Sequence, residues 1–359
     1  MNLRRIFRYS HAGIVHLQRS ILARRSRDRH TPLGPPLSVA IGITTKCNSQ
    51  CLYCDIWKKP PRKDLDTDEW KRVFDELGEW LAPAHISVAG GEPFLRKDLF
   101  ELINHASAVG LLPSVVTNGT VSSPELITRI SELPLASLII SIDSYTPGPH
   151  DRLHGMEGAH RRAMALVENL LVMGWGPRLR IAAVLTSLNS NEIVELAKWS
   201  DSRGIGGFTV QPLGEPFERD HQRFWYKESS LKLADTDALQ TMVAELISLK
   251  ESGVSIMNPV RQLEALPEYY KHPEHGVLLP CLVGSTTLGI GPDGDLRFCP
   301  YHRPFGRWGE GSFKSQWYGV AAAKSREQIL RCSRGCSIMN CAFSPTLKER
   351  LGRWKHIIG

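Results

Sequence analysis

No stretch of this 359-residue chain approaches the roughly 20 consecutive apolar residues that a membrane-spanning helix needs. The N-terminus also lacks the apolar core and small-residue cleavage site of a secretory signal. Cysteine is absent from residue 55 to residue 280, and the eight cysteines fall into two tight groups. That distribution excludes the disulfide framework of a small secreted domain, so a reducing, cytoplasmic setting is expected. Acidic residues are almost missing from the first 30 positions, where Asp28 alone faces Arg4, Arg5, Arg8, Arg19, Arg24, Arg25, Arg27 and Arg29. The other 329 residues carry 36 basic and 36 acidic side chains, so the net charge of +7 belongs to the N-terminal segment. The body has no basic surplus with which to attract nucleic acid.

With 42% hydrophobic and 23% charged residues, the chain has the composition of an ordinary globular enzyme, and its length suits one large α/β unit plus something smaller. In the first 30 residues Leu3, Ile6, Phe7, Ile14, Leu17 and Ile21 recur near helical spacing, with Arg4, Arg5, Arg8 and Arg19 largely elsewhere. Such a basic amphipathic helix can pack on the body with a solvated arginine face, lie on an anionic membrane surface, or act as a transit-like segment. Pro32, Gly34, Pro35 and Pro36 end it.

From Leu37 onward strand-like and helix-like segments alternate. Strands are expected at 38–44, 85–89, 113–117, 137–142, 179–186 and 207–211, and helices at 67–80, 97–109, 124–132, 157–174, 190–203 and 230–252. Thr67, ahead of Asp68 and Glu69, reads as a hydroxyl N-cap, and Ser123-Pro124 puts proline at a first helical position. Six β/α units in a row predict a parallel sheet curling into a partial (β/α)6 TIM-like barrel, with chemistry at the C-terminal ends of the strands. Those ends are polar or glycine-rich: Gly90-Gly91-Glu92-Pro93 after strand two, Thr117-Asn118-Gly119 after strand three, Ser141-Ile142-Asp143 at strand four, Asn189 and Glu192 after strand five.

The first strand delivers Cys47, Cys51 and Cys54 within eight residues. Three soft ligands this close suit an iron-sulfur cluster or zinc, and a four-iron cluster held by three thiolates keeps one iron open for another ligand. A core helix bearing cysteines at i, i+4 and i+7 is disfavoured by the polar Asn48, Ser49 and Gln50 between them. Gly90-Gly91 lets a backbone approach a ligand with no side chain between.

The cysteine triplet with Tyr53 before its last member, Gly-Gly-Glu-Pro at 90–93, Thr-Asn-Gly at 117–119 and Ser-x-Asp at 141–143 together resemble the radical S-adenosylmethionine superfamily, over roughly residues 37–255. The resemblance implies that Cys47, Cys51 and Cys54 bind a 4Fe-4S cluster chelated by the methionine end of S-adenosylmethionine. It further implies that Tyr53 and Asn118 line the cofactor site, that Gly90, Gly91 and Glu92 hold the methionine end, and that Ser141, Asp143 and Asn189 approach ribose or carboxylate. One electron from a reductant such as flavodoxin or ferredoxin would then release a 5'-deoxyadenosyl radical that abstracts hydrogen from substrate, in a dry enclosed site.

The last 80 residues hold Cys281, Cys299, Cys332, Cys336 and Cys341, and Gly291-Pro292-Asp293-Gly294 is a hairpin turn signal between the first two. This arrangement resembles the SPASM and twitch extensions of radical S-adenosylmethionine enzymes, a small β-hairpin plus helix domain for auxiliary clusters. Five thiols suffice for one auxiliary 4Fe-4S cluster, and Cys332-x3-Cys336-x4-Cys341 departs from the usual closing spacing. The expected division is 1–36 N-terminal segment, 37–255 barrel and 256–359 auxiliary domain. The aromatic and charged loop 214–229, with Tyr301, His302 and Arg303, is a candidate substrate contact. The expected substrate is a peptide, sugar, nucleotide-derived metabolite or lipid, and the basic amphipathic start points towards something membrane-adjacent, with peripheral membrane contact through residues 1–30. The competing reading is a non-catalytic zinc or iron-sulfur redox-sensing protein on the same barrel.

Overall fold

The computed structural model describes residues 3–26, 29, 31–58, 60, 63–121, 123–216, 225–233, 235–273 and 281–339, with backbone alone at 3–10, 337 and 338. In chain order the elements are α1 (Leu3–Arg25), β1 (Ser38–Thr44), α2 (Thr67–Leu81), β2 (Ala84–Gly90), α3 (Leu99–Ala108), β3 (Leu111–Thr117), α4 (Pro124–Glu132), β4 (Ser137–Ser141), α5 (Pro147–His154), α6 (Ala159–Val172), β5 (Leu179–Leu185), α7 (Ile193–Ser202) and β6 (Phe208–Pro212). There follow α8 (Trp225–Glu228), α9 (Thr236–Glu251), α10 (Val260–Lys271), α11 (Val283–Thr286), β7 (Thr287–Ile290), β8 (Asp295–Arg297), β9 (Gly306–Arg307), α12 (Phe313–Trp317) and α13 (Val320–Leu330).

All six expected strands form, and β1 to β6 are parallel neighbours in sequence order. The sheet does not close. At the β6 edge, Asn258 takes the place of a seventh strand: its Oδ1 accepts from Val210 N (2.8 Å) and its Nδ2 donates to Val210 O (2.7 Å). At the other edge the C-terminal hairpin continues the same sheet. Strand β7 pairs parallel with β1, Val39 opposite Leu288, and β8 and β9 add antiparallel. The turn at 291–294 forms as expected, with Gly291 N donating to Asp295 O (2.8 Å).

Helices cover the sheet with apolar faces. Trp70, Val73, Phe74 and Leu77 of α2 are fully buried with Val39, Ile41 and Ile86 of the adjacent strands, each large side chain contributing about 1.5–3 kcal/mol by burial. The N-cap of α2 is Asp66, one residue before the expected Thr67. Asp66 accepts from Glu69 N while Glu69 reaches back to Asp66 N, both at 2.8 Å, so a reciprocal carboxylate box outcompetes the hydroxyl. Thr67 donates instead to Asp98 (2.8 Å). Ser123 caps α4 as expected, accepting from Leu126 N with Pro124 behind it.

The segment expected as one helix over 157–174 is preceded by a separate helix, α5. Proline at its start and Gly155 in the left-handed conformation at its end delimit it. Helix α9 starts later than expected, at Thr236, where Asp235 accepts from Asp237 N and Ala238 N.

Candidate active site

The site is assembled at the C-terminal ends of β1 to β5, beginning with the loop that leaves β1. Gly91 N donates to Thr44 O and Glu92 N to Lys46 O, both at 2.8 Å, so the end of β2 is laced to the backbone just before Cys47. A Cβ on Gly91 would stand 2.0 Å from Lys46 O, and one on Gly90, whose φ is +125°, would stand 2.4 Å from Thr44 O. The glycine pair therefore admits the backbone of the cysteine loop. Gly91→Ala is expected to push Lys46 and Cys47 aside, to cost about 1–3 kcal/mol, and to lower iron occupancy at the triplet, checked by thermal unfolding and iron assay.

Glu92 is buried and internal. Its carboxylate accepts from Phe94 N (3.0 Å), Thr117 Oγ1 (2.8 Å) and Asn118 N (2.8 Å), tying β2 to β3. Burial pushes its pKa up, against those hydrogen bonds. Asn118 then ties β3 to the cysteine loop: its Nδ2 donates to Asn48 Oδ1 (2.8 Å) and Ser49 Oγ (3.0 Å), while Asn48 Nδ2 donates to Thr120 Oγ1 (2.9 Å).

Asp143, at the end of β4, is the hub of the other side. Fully buried, it accepts from the Tyr53 hydroxyl (2.6 Å) and Val184 N (2.7 Å), and its Oδ2 lies 3.0 Å from His154 Nε2. Burial opposes its charge, but His154, His150 and Tyr53 outweigh that and hold the carboxyl below its ordinary value. Burial would likewise lower His154, yet Asp143 and then Cys51, both beside it, raise it to about 10. Its stacked neighbour His150, 4.1 Å away between ring centroids, is pushed down to about 3 by burial and by the His154 charge. Asn189 is buried too, donating to Asp143 O (2.5 Å) and Val184 O (2.8 Å) and thereby fixing β4 against β5. Ser141 is half-buried at the last residue of β4. Glu192 accepts from Ser144 and from Thr146 N (2.9 Å) and Oγ1 (2.7 Å).

The sequence reading missed α5 and its histidines. The helix holds the cysteine loop directly: Gln50 N donates to His154 O (3.0 Å) and Leu52 N to Leu153 O (2.9 Å), on either side of Cys51. A Cβ on Gly155 would stand 2.5 Å from Gln50 O. The i, i+4 pair His150 and His154, between Pro147 and Gly155, was the available signal.

The residues fit a metal cluster. Cys47, Cys51 and Cys54 lie near enough to feel one another's charge, and burial pushes Cys47 up to about 11 and raises Cys54. Partly buried thiols raised in this way lose their protons to a metal rather than to water. His154 is buried beside Cys51, as suits the neighbour of a sulfur ligand. Among the described residues no three cysteine, histidine or carboxylate side chains close on the point a single metal ion would occupy. A four-iron cluster spreads its thiolates more widely than one ion does.

The second cysteine group converges as well. Cys281 precedes α11, Cys299 follows β8, Cys332 follows α13, and Cys336 lies in the turn Gly335–Ile338, where burial and then Cys299, Cys281 and Cys332 push its pKa up to about 12. Cys341 lies outside the described residues, as do positions 217–224 of the candidate substrate loop. Tyr301, also expected to meet substrate, donates its hydroxyl to Glu215 O (2.6 Å), and Arg334 lies over its ring and pairs with the Glu215 carboxylate at 2.5 Å. These contacts fasten the cysteine segment to the loop after β6. His302 is half-buried and Arg303 exposed.

Residues 41–200 match the family model described as the radical SAM superfamily. That segment, 41–200, is where the chain is similar to the radical SAM superfamily. It is 36% identical over 146 residues to the PqqA peptide cyclase of Bradyrhizobium diazoefficiens, a match covering 40% of this chain and 38% of that one. It is 29% identical to the AdoMet-dependent heme synthase of Methanosarcina barkeri, covering 74% and 77%. Among solved structures, Streptococcus suis SuiB bound to its precursor peptide SuiA shares the fold, with a TM-score of 0.67 at 17% identity over 90% of this chain and 76% of that one. The match marks an enzyme domain on an open, TIM-like sheet, for which S-adenosylmethionine and a 4Fe-4S cluster are the cofactors expected. No helix among the described residues is long and apolar enough to cross a membrane.

Proposed function

We propose that this chain cleaves S-adenosylmethionine at the Cys47, Cys51 and Cys54 site and removes hydrogen from a peptide. The observation that carries the reading is the thiol triplet at the end of β1, braced by the ends of β2, β3 and β4 and by α5. When bound, the cluster supplies the electron that turns S-adenosylmethionine into a carbon radical able to take hydrogen from an unactivated position. Cys47, Cys51 and Cys54 hold that cluster, and Glu92, Asn118, Asp143 and Asn189 act as positioning residues that fix the strand ends around it. Gly90, Gly91, Tyr53 and Ser141 would shape the cofactor's surroundings. A one-electron carrier such as flavodoxin or ferredoxin feeds the site.

We assign the auxiliary cluster to Cys281, Cys299, Cys332 and Cys336, with residues 37–255 as the catalytic barrel and 256–359 as its auxiliary unit. A cluster held by those four thiols would supply an acceptor for the substrate's second electron, and the net reaction would then be an oxidation, such as a cross-link. The peptide reading draws on the Bradyrhizobium relative, whose name states that it cyclises a peptide. The Methanosarcina relative, matched over more of its length, favours a tetrapyrrole-sized metabolite as the second reading.

Anaerobic reduction of the loaded enzyme with S-adenosylmethionine is expected to yield 5'-deoxyadenosine. A short peptide encoded beside the enzyme and added to the reaction should lose two hydrogens by mass spectrometry. An unaltered peptide, with a porphyrin precursor consumed instead, would overturn the peptide reading; absence of 5'-deoxyadenosine would overturn the enzyme reading.

A further inference from the structure

Helix α1 is fixed to the body by its less apolar side. Ala12, Ser20 and Ala23 are buried, Arg19 Nη2 donates to Leu81 O (2.9 Å), and the His16 ring meets His85 edge-on at 6.5 Å. The chain that follows is secured too: Leu33 N donates to Ser26 Oγ (2.8 Å) and the Trp317 indole to Gly34 O (3.1 Å). The helix therefore docks in a way opposite to that expected of an amphipathic helix on a globular body. Its large aliphatic residues face out: Ile14 is 58% exposed, Leu17 43% and Ile21 47%, at spacings of three and four that form one stripe. In the sequence Leu3, Ile6 and Phe7 continue the same spacing.

We infer that this outward stripe docks the enzyme on an anionic bilayer surface. An apolar stripe alone would suit many partners, and charge selects among them. The first 30 residues hold eight arginines and one acid while the body is balanced, and Arg24 and Arg25 are exposed at the end of the stripe. An in-plane helix of this kind sets its aliphatic side chains among the acyl chains and its guanidinium groups among lipid phosphates. The contacts at Leu81 and His85 place α1 at the N-terminal ends of the strands, whereas the thiol triplet lies at the C-terminal end of β1. A strand's length, roughly 20 Å, separates them. Docking thus leaves the barrel mouth turned away from the lipid, open to a substrate arriving from water.

The inference is independent of the proposed reaction. The full-length enzyme should co-sediment with vesicles of mixed phosphatidylglycerol and phosphatidylcholine at low salt, and at least tenfold less with phosphatidylcholine alone or at high salt. Ile14→Asp, Leu17→Asp and Ile21→Asp together should reduce binding at least tenfold with the unfolding temperature unchanged, because the three side chains face solvent. Arg24→Glu with Arg25→Glu should weaken binding to the anionic vesicles only. The inference is overturned if the unaltered enzyme stays in the supernatant, or if the triple variant binds as well as it does. It is also overturned if the enzyme is a dimer without lipid that the triple variant dissolves, since a second copy is then the occupant of the stripe.

Discussion

Alanine at Cys47, Cys51 and Cys54 together is expected to abolish 5'-deoxyadenosine formation while leaving the fold and the auxiliary iron in place. With both sites loaded the chain should hold about eight irons, and the triple variant about four. The separation is expected because the two groups hang from different backbone. The triplet depends on β1, β2 and α5, whereas Cys281, Cys299, Cys332 and Cys336 depend on α11, the β7–β8 hairpin and α13. The three thiols are only partly buried, so truncating them leaves no large cavity and should lower stability by about 1 kcal/mol each or less. Iron content, the cluster's visible absorbance and S-adenosylmethionine turnover, measured on one anaerobic preparation, decide the matter. A variant that still makes 5'-deoxyadenosine would remove the triplet from the reaction, and one that loses all iron would show that the two sites load as one unit.

The alternation of strand-like and helix-like segments located the barrel, because each parallel strand carries a row of buried apolar side chains and reads as a short apolar run between helical segments. The thiol triplet and the polar strand ends were legible for the same reason, since polar residues at strand ends stand out against those runs. What stayed illegible was the direction in which each polar group points. Glu92, Asp143 and Asn189 read as ligand contacts, and in the structure each also joins one strand end to the next, Asn189 through Asp143 O. Nothing in linear sequence distinguishes a carboxylate that meets a cofactor from one that meets the neighbouring strand's amide. Helix α5 was hidden because two prolines and a glycine in eight residues look like a loop, although one proline opens the helix and Gly155 ends it. The place of the hairpin was hidden as well: its turn is local, but the pairing of β7 with β1 spans almost 250 residues of chain.

The Asp143–His154 pair should be the most sensitive point outside the cysteines. Replacing Asp143 by alanine strands three buried groups at once: the His154 imidazolium, the Tyr53 hydroxyl and the Val184 amide. A buried charge left without its partner costs about 3–5 kcal/mol, a large share of a domain's stability. Denaturant unfolding of Asp143→Ala should show a loss of that order, and Asp143→Asn a smaller one, because the amide oxygen can still accept from Val184 N. Adding His154→Phe should recover part of the loss, since it removes the stranded cation, giving a coupling of about 1–3 kcal/mol between the two positions. Strictly additive losses would mean that the two side chains do not act as a pair. The effect should also reach the chemistry, because Leu153 and His154 hold the backbone on both sides of Cys51. Asp143→Ala is expected to lower both iron retention at the triplet and the rate of S-adenosylmethionine cleavage, with the auxiliary iron unchanged. If iron retention holds while the protein is destabilised, Asp143 supports the barrel alone and the link from β4 through α5 to the thiol loop is broken.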